Sequence, residues 1–223
     1  MKLPLKFVKK QYKKIAVAFS LITFMAWLIL GTGTMLAWFT DATPEIKNIF
    51  HVGTLPDASG SFTVSHRLEN GSYAKVEGGT AVFDDEALYS PGFYQIAYLK
   101  IENGTNVEID VSTAVSVTDY TVAVNQYGQR FELQDYLRFG LVASSDEDEL
   151  EAMLATDEQV AAFADGRLNN YSSDVAILAP GETVYMALIV YMPEDVDNVA
   201  NYRGDVVPMV ELGIIIKATQ TGQ

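Results

Sequence analysis

The chain has no cysteine among its 223 residues. Disulfide bonds, thiolate nucleophiles and cysteine-ligated zinc are therefore excluded. Histidine is almost as scarce, with His51 and His66 the only two. A zincin needs two histidines at i and i+4 on a helix with a glutamate between them. His51 and His66 stand in strand- or turn-like sequence, far from that spacing, and neither begins a His-Glu pair. Positive charge is scarce outside the first 14 residues. Lys2, Lys6, Lys9, Lys10, Lys13 and Lys14 take six of the 15 Lys/Arg, within a whole-chain charge of −14. The remainder carries nine Lys/Arg against 29 Asp/Glu, a net charge of −20. Such a body repels nucleic acid and anionic membranes, so membrane contact is expected only through the N-terminus.

Other signatures are missing too. There is no phosphate-binding loop, no dinucleotide fingerprint and no G-x-S-x-G elbow; Ser59-Gly60-Ser61 does not fit the last. The acidic runs Asp84-Asp85-Glu86 and Asp146-Glu147-Asp148-Glu149 lack the alternation, central glycine and twelfth-position glutamate of an EF-hand. They read as solvated faces, and the second suits the positive end of a following helix. Carboxylates are too abundant for a glycosidase pair to be singled out. No catalytic residue, cofactor site or metal site is expected, and the chain reads as a non-enzyme.

What is present is enough for an ordered domain: 49% hydrophobic and 11% aromatic residues. After the basic N-terminus, Ile15 to Leu30 is uncharged, IAVAFSLITFMAWLIL. As a helix it would span about 24 Å, short of a ~30 Å hydrocarbon core, although extension to Trp38 would make it long enough. Two alternatives follow, a cleaved signal peptide over residues 1–37 or an uncleaved anchor. A basic flank, an apolar run and then small residues is the signal-peptide order. Cleavage is expected between Ala37 and Trp38, with Met35 departing from the A-x-A pattern. Either way the body is directed outward. Export without disulfides fits a Gram-positive bacterium.

The body, residues 38–223, reads mainly as strands. FTVSHRL and TAVF are short strand candidates around the turns Asn70-Gly71 and Gly78-Gly79. Ser90-Pro91-Gly92 is a turn. Phe93 to Asn103 alternates, with Tyr94, Ile96, Tyr98 and Lys100 on one face and Phe93, Gln95, Ala97, Leu99 and Ile101 on the other. Asn103-Gly104 is expected to turn the chain into a Val/Thr-rich strand from Val107 to Val124. Asp146 to Asp165 switches to helical spacing through Leu150, Met153, Leu154, Val160 and Phe163. Thr156 with Gln159 resembles a capping box that splits the stretch in two, and Gly166 is expected to stop the second helix. Ala179-Pro180-Gly181 is a second Pro-Gly turn, followed by a strand from Glu182 to Met192, a weak internal echo of the first. Val206 to Gln220 is a terminal strand whose LGIII centre suggests burial on both faces. Asn70-Gly71-Ser72, Asn103-Gly104-Thr105 and Asn170-Tyr171-Ser172 match the glycosylation pattern but are expected to be simple turns.

The stretch GTGTMLAWFTD, Gly31 to Asp41, resembles the export signal handled by the SipW-type signal peptidase. Its best-known substrates are the TasA/camelysin family of exported biofilm-matrix proteins. Phe50 followed by Gly53-Thr54-Leu55, Leu178 to Glu182 as L-x-P-G-E, Met192-Pro193-Glu194, the residues Asn201, Tyr202 and Gly204, and the terminal Ala218-Thr219-Gln220 resemble segments of that family in the same order. Pro91-Gly92-Phe93 departs where the family often has an acid, and residues 56–88 and the helical excursion have no residue-by-residue match. The resemblance implies a jelly-roll sandwich, processing by a SipW-type signal peptidase, and assembly with copies of itself or related matrix subunits.

The expected fold is all-β: an antiparallel, jelly-roll-like β-sandwich with a short helical insertion at about 146–165, preceded by an N-terminal signal or transmembrane helix. The expected function is that of a secreted cell-surface or biofilm-matrix structural protein. The segment Trp38 to Leu55 could complete a neighbour's sheet by strand addition after cleavage. Its anchors would be Trp38, Phe39, Ile46, Ile49 and Phe50. Alternatively it folds back as the domain's own first strand. A camelysin-type cell-surface metallopeptidase and a monomeric surface-binding module are the other functional alternatives.

Overall fold

β-Branched and aromatic residues at period two form strands where one face meets an apolar neighbour. A computed structural model describes residues 45–52, 60–84, 87 and 89–221. The leader, Ala37, Trp38 and Phe39 lie outside the described residues. The chain divides into units Met1–Ala42 and Thr43–Gln223, and every described residue belongs to the second.

In chain order the strands are β1 (Glu45–Val52), β2 (Gly60–Arg67), β3 (Tyr73–Lys75), β4 (Tyr94–Thr105), β5 (Ile109–Tyr120), β6 (Val122–Val124), β7 (Arg130–Glu132), β8 (Arg138–Ser144), β9 (Gly166–Arg167), β10 (Tyr171–Leu178), β11 (Thr183–Tyr191) and β12 (Met209–Gln220). Two short helices, α1 (Glu147–Met153) and α2 (Asp157–Phe163), lie between β8 and β9. One sheet has the order β1-β12-β5-β10 and the other β3-β2-β4-β11-β8-β9, with β6 and β7 forming a small hairpin. The all-β expectation stands. The pairings are antiparallel except that of β1 with β12, which is parallel.

The main core lies between the two sheets. Ile109, Val111 and Val115 of β5 and Val210, Leu212, Ile214 and Ile216 of β12 meet Leu99 and Ile101 of β4 and Met186, Leu188 and Val190 of β11. Each such side chain contributes about 1.5–3 kcal/mol by leaving water. A second cluster lies on the other face of the six-stranded sheet, where Leu150, Leu154, Val160 and Ala164 cover Val142, Ala187 and Ile189. The central strand β11 therefore buries both faces, which explains its unbroken apolar run. The two faces of β4 divide as the alternation predicts. Ala97, Leu99 and Ile101 enter the inter-sheet core, while Tyr94, Ile96 and Tyr98 pack beneath the helices.

Capping explains the two helices. Asp146 accepts from the Glu149 backbone N–H at 3.1 Å. Thr156 and Gln159 form the expected capping box, with bonds of 3.3 and 3.1 Å. Gly166 does not stop α2, which ends at Phe163. It belongs to β9, where a Cβ would come within 2.7 Å of the Tyr171 ring. Glycine is required there for packing.

The two Pro-Gly turns are equivalent. Phe93 N–H bonds Ser90 O at 2.9 Å, and Glu182 N–H bonds Ala179 O at 3.1 Å. Gly92 and Gly181 have φ of 84° and 83°, as a type II turn demands. They stand at opposite ends of the antiparallel β4–β11 ladder. Gly92 N–H donates to Met192 O at 2.8 Å, and Gly181 N–H to Asn103 O at 2.7 Å. The sequence echo thus corresponds to a local two-fold arrangement in the centre of the sheet.

Three further expectations are corrected. Asn103-Gly104 is not a turn: β4 runs through it to Thr105, and Gly104 faces Ser61, whose carbonyl would lie 2.6 Å from an added Cβ. TAVF is not a strand; Val82 and Phe83 pack against the core from irregular chain. The LGIII centre of β12 is not buried on both faces, because Ile215 points outward and is 43% exposed.

Candidate assembly surface

β1 is an edge strand held by the chain's C-terminal strand. Its parallel register sets Ile46 opposite Val210, Asn48 opposite Leu212, Phe50 opposite Ile214 and Val52 opposite Ile216. Those β12 partners are fully buried. Of the anchors expected on this strand, Ile46 is in register with Val210 and Phe50 with Ile214. Ile49 falls in the other row, opposite Gly213. Trp38 and Phe39 precede the described residues. The remaining edges differ. β10 carries a bulge between Asp174 and Ala176, and β3 and β9 are three and two residues long. Bulges and short strands discourage edge pairing.

The outer row of the four-stranded sheet is small and polar. Ser112, Ala114 and Ser116 of β5 stand in register with Lys217, Ile215 and Gly213 of β12. A Cβ at Gly213 would meet Thr118 Cγ2 at 2.8 Å, so a larger residue there would make the Thr118 side chain shift. At the same end β12 bulges against β5. Glu211 lies beside Asp119 in the ladder, and Thr118 Oγ1 donates to Glu211 Oε1 at 2.7 Å and to Glu211 O at 3.2 Å. On its other side Glu211 is in register with Lys47. The register of Lys47 with Glu211 carries no sequence signal, because it arises from a parallel pairing between strands far apart in the chain.

A second feature lies where α1 crosses the six-stranded sheet. A cavity of about 440 Å³ is lined by His66, Arg67, Tyr98 and Glu151, among others. The Arg67 guanidinium lies 5.3 Å above the Tyr98 ring. It bonds Glu151 and approaches Glu147 at 3.5 Å. The bond to Glu151 raises the Arg67 pKa. Tyr73 donates to Glu147 at 2.7 Å and Tyr94 to Asp157 at 2.9 Å. Burial, then the Glu147 bond, raises the Tyr73 pKa. These polar groups satisfy one another and fasten the helices to the sheet. His66 belongs to the six-stranded sheet and His51 to the four-stranded one, so the fold does not bring them together. Among the described residues, no group of three or more His, Asp or Glu is arranged to hold a metal ion.

Asn103 is buried and fully engaged. Its amide donates to the carbonyls of Val107, Leu178 and Ala179 at 2.8–3.1 Å, and its oxygen accepts from Thr105 N–H and Oγ1 at 3.0 and 2.6 Å. It cannot serve as a glycosylation acceptor in the folded chain. Asn70 is exposed in the β2–β3 connection, where its oxygen accepts from Ser72.

No family model matches the chain, and no curated protein matches it either.

Proposed function

We propose that the chain is an exported cell-surface or biofilm-matrix structural protein that assembles with copies of itself by donating β1. The observation that carries this reading is the attachment of β1: a terminal edge strand, paired with β12 alone, along eight residues. The same ladder forms whether β1 comes from its own chain or from a neighbour. The choice depends on linkage and concentration rather than on new contacts. Reciprocal exchange closes a dimer, whereas head-to-tail donation leaves an open filament. Export through the leader, with cleavage between Ala37 and Trp38 by a SipW-type signal peptidase, would free the strand's N-terminal side. A jelly-roll path suits the strand order, since β4 to β5 and then β8, β10, β11 and β12 alternate between the two sheets.

N-terminal sequencing of the extracellular form should place its first residue at or near Trp38. Electron microscopy and sedimentation should show concentration-dependent polymers that vanish when residues 38–52 are deleted. A chain that stays monomeric across pH and concentration, with or without that segment, would remove the reading.

A further inference from the structure

Asn-Gly followed by a hydroxyl residue occurs twice, at Asn70-Gly71-Ser72 and Asn103-Gly104-Thr105. At both sites the asparagine oxygen accepts from the backbone N–H and the hydroxyl two residues on, at 3.0 and 2.6 Å. Such donors polarise the side-chain carbonyl and stabilise the charge that develops on its oxygen under attack. The nearest nucleophile is the following backbone nitrogen, which glycine, lacking a Cβ, crowds least.

The surroundings separate the two sites. Asn103 is 1% exposed, and its amide nitrogen, the group that must depart, is held by three carbonyls. Gly104 is packed in β4, where Ser61 O would lie 2.6 Å from an added Cβ. Asn70 and Gly71 are exposed. The Asn70 amide nitrogen has no partner among the described residues. A Cβ on Gly71 would meet nothing within 4 Å. One restraint remains: Gly71 N–H donates to Leu68 O at 2.9 Å, which with Leu68 N–H to Ser72 O at 2.7 Å closes the hairpin. Bonds at an exposed hairpin tip open far more readily than those of a core strand.

We propose that Asn70 is a self-modification site of the folded chain. The Gly71 nitrogen gives its proton to solvent base and bonds to Asn70 Cγ. The Cγ–Nδ2 bond breaks and ammonia leaves, giving a cyclic imide. Water opens the ring at either carbonyl, leaving aspartate or isoaspartate at position 70. Isoaspartate routes the chain through the side-chain carbon and so lengthens the turn by one backbone atom. That turn leads directly into β3, whose Tyr73 donates to Glu147 of α1. Modification therefore loosens one link between the sheet and its helices. The inference is independent of the proposed function.

The purified full chain is incubated in mildly alkaline buffer and then digested with trypsin, which releases Asn70 within residues 68–75 and Asn103 within residues 101–130. Mass spectrometry should show the first peptide heavier by about one mass unit, as two products that chromatography separates. The same gain at Asn103 should be slower by about tenfold or more, because a core strand must open first. In denaturant the two rates should converge. Asn70→Gln, which would have to close a larger and slower-forming ring, should abolish the gain in the first peptide. Hydrogen exchange in β3 and α1 should be faster in the aged chain than in fresh chain, and the Gln variant should show no such change after the same incubation. An unmodified Asn70 in the folded chain, equal rates at the two sites in the folded chain, or a difference that persists in denaturant overturns the proposal. Unchanged exchange in the modified chain overturns the link to the helices.

Discussion

The two outer faces of the sandwich contrast sharply. On the six-stranded sheet, Tyr94, Ile96 and Tyr98 of β4 and Tyr185, Ala187, Ile189 and Tyr191 of β11 make an aromatic surface that two helices cover. On the four-stranded sheet the facing rows of β5 and β12 are Ser, Ala, Gly and Lys with the half-exposed Ile215, and Ile177 of β10 is 62% exposed. A broad aromatic surface left in water invites association, whereas a small, mixed one does not. The helical excursion is thus explained as a cover, fastened at its rim by Arg67, Tyr73 and Tyr94 to carboxylates of the helices. Among the described residues no helix covers the four-stranded sheet, which carries β1 at its edge.

If the helices are an integral cover, truncating their core should cost as much as truncating the inter-sheet core. Leu150 is 1% exposed. Leu150→Ala should destabilise the domain by about 2–5 kcal/mol, with Ile214→Ala in the same range. Chemical denaturation of the two variants checks this. A loss below about 1 kcal/mol for Leu150→Ala alone would make the helices a loosely attached appendage. The rim should matter less. Arg67→Ala removes its partly exposed links to Glu151, Glu147 and the Tyr98 ring, and Tyr94→Phe removes one hydrogen bond; each should cost about 1 kcal/mol, the second less. Hydrogen exchange in α1 and α2 should rise more than in β5.

The fastening also has a pH signature. The raised Tyr73 pKa means that the fold favours the neutral phenol. Below the unfolded value of about 10 both states are protonated and the contribution is fully present. Above it the unfolded chain releases the proton that the folded chain retains, so stability falls as pH rises. Denaturation midpoints should decline above about pH 10, and Tyr73→Phe should flatten part of that decline. An equal slope in the variant would assign the effect to other tyrosines, such as Tyr98 and Tyr171, whose values burial also raises.

Local signals carried most of this architecture. The alternation from Phe93 to Ile101, the capping box at Thr156 and Gln159, and both Pro-Gly turns act over a few residues, and each is found where the pattern places it. Failures came where tertiary contact overrides the local rule. Asn103-Gly104 has the composition of a turn, but its amide is taken up by Leu178 and Ala179, 75 and 76 residues away. Gly166 looks like a helix stop, but the Tyr171 ring determines it. The apolar residues of β1 were legible as a strand. Its parallel partner was not, because pairing the domain's first strand with its last leaves no periodicity to read.

The smallest expected effect probes the uncovered face. The LGIII run reads as buried on both sides, yet Ile215 is 43% exposed beside Ala114. Ile215→Thr keeps the β-branched shape that suits a strand and removes little buried area. It should change the stability of the monomer by no more than about 0.5 kcal/mol. Thermal unfolding at low protein concentration measures this, against Ile214→Ala as the large-effect reference one residue away on the opposite face. A loss near that of Ile214→Ala would mean that this row is covered in solution and that the contrast between the two outer faces fails. A small loss at low concentration that grows as the protein is concentrated would instead assign the cover to another copy of the chain, since only association makes apparent stability depend on concentration.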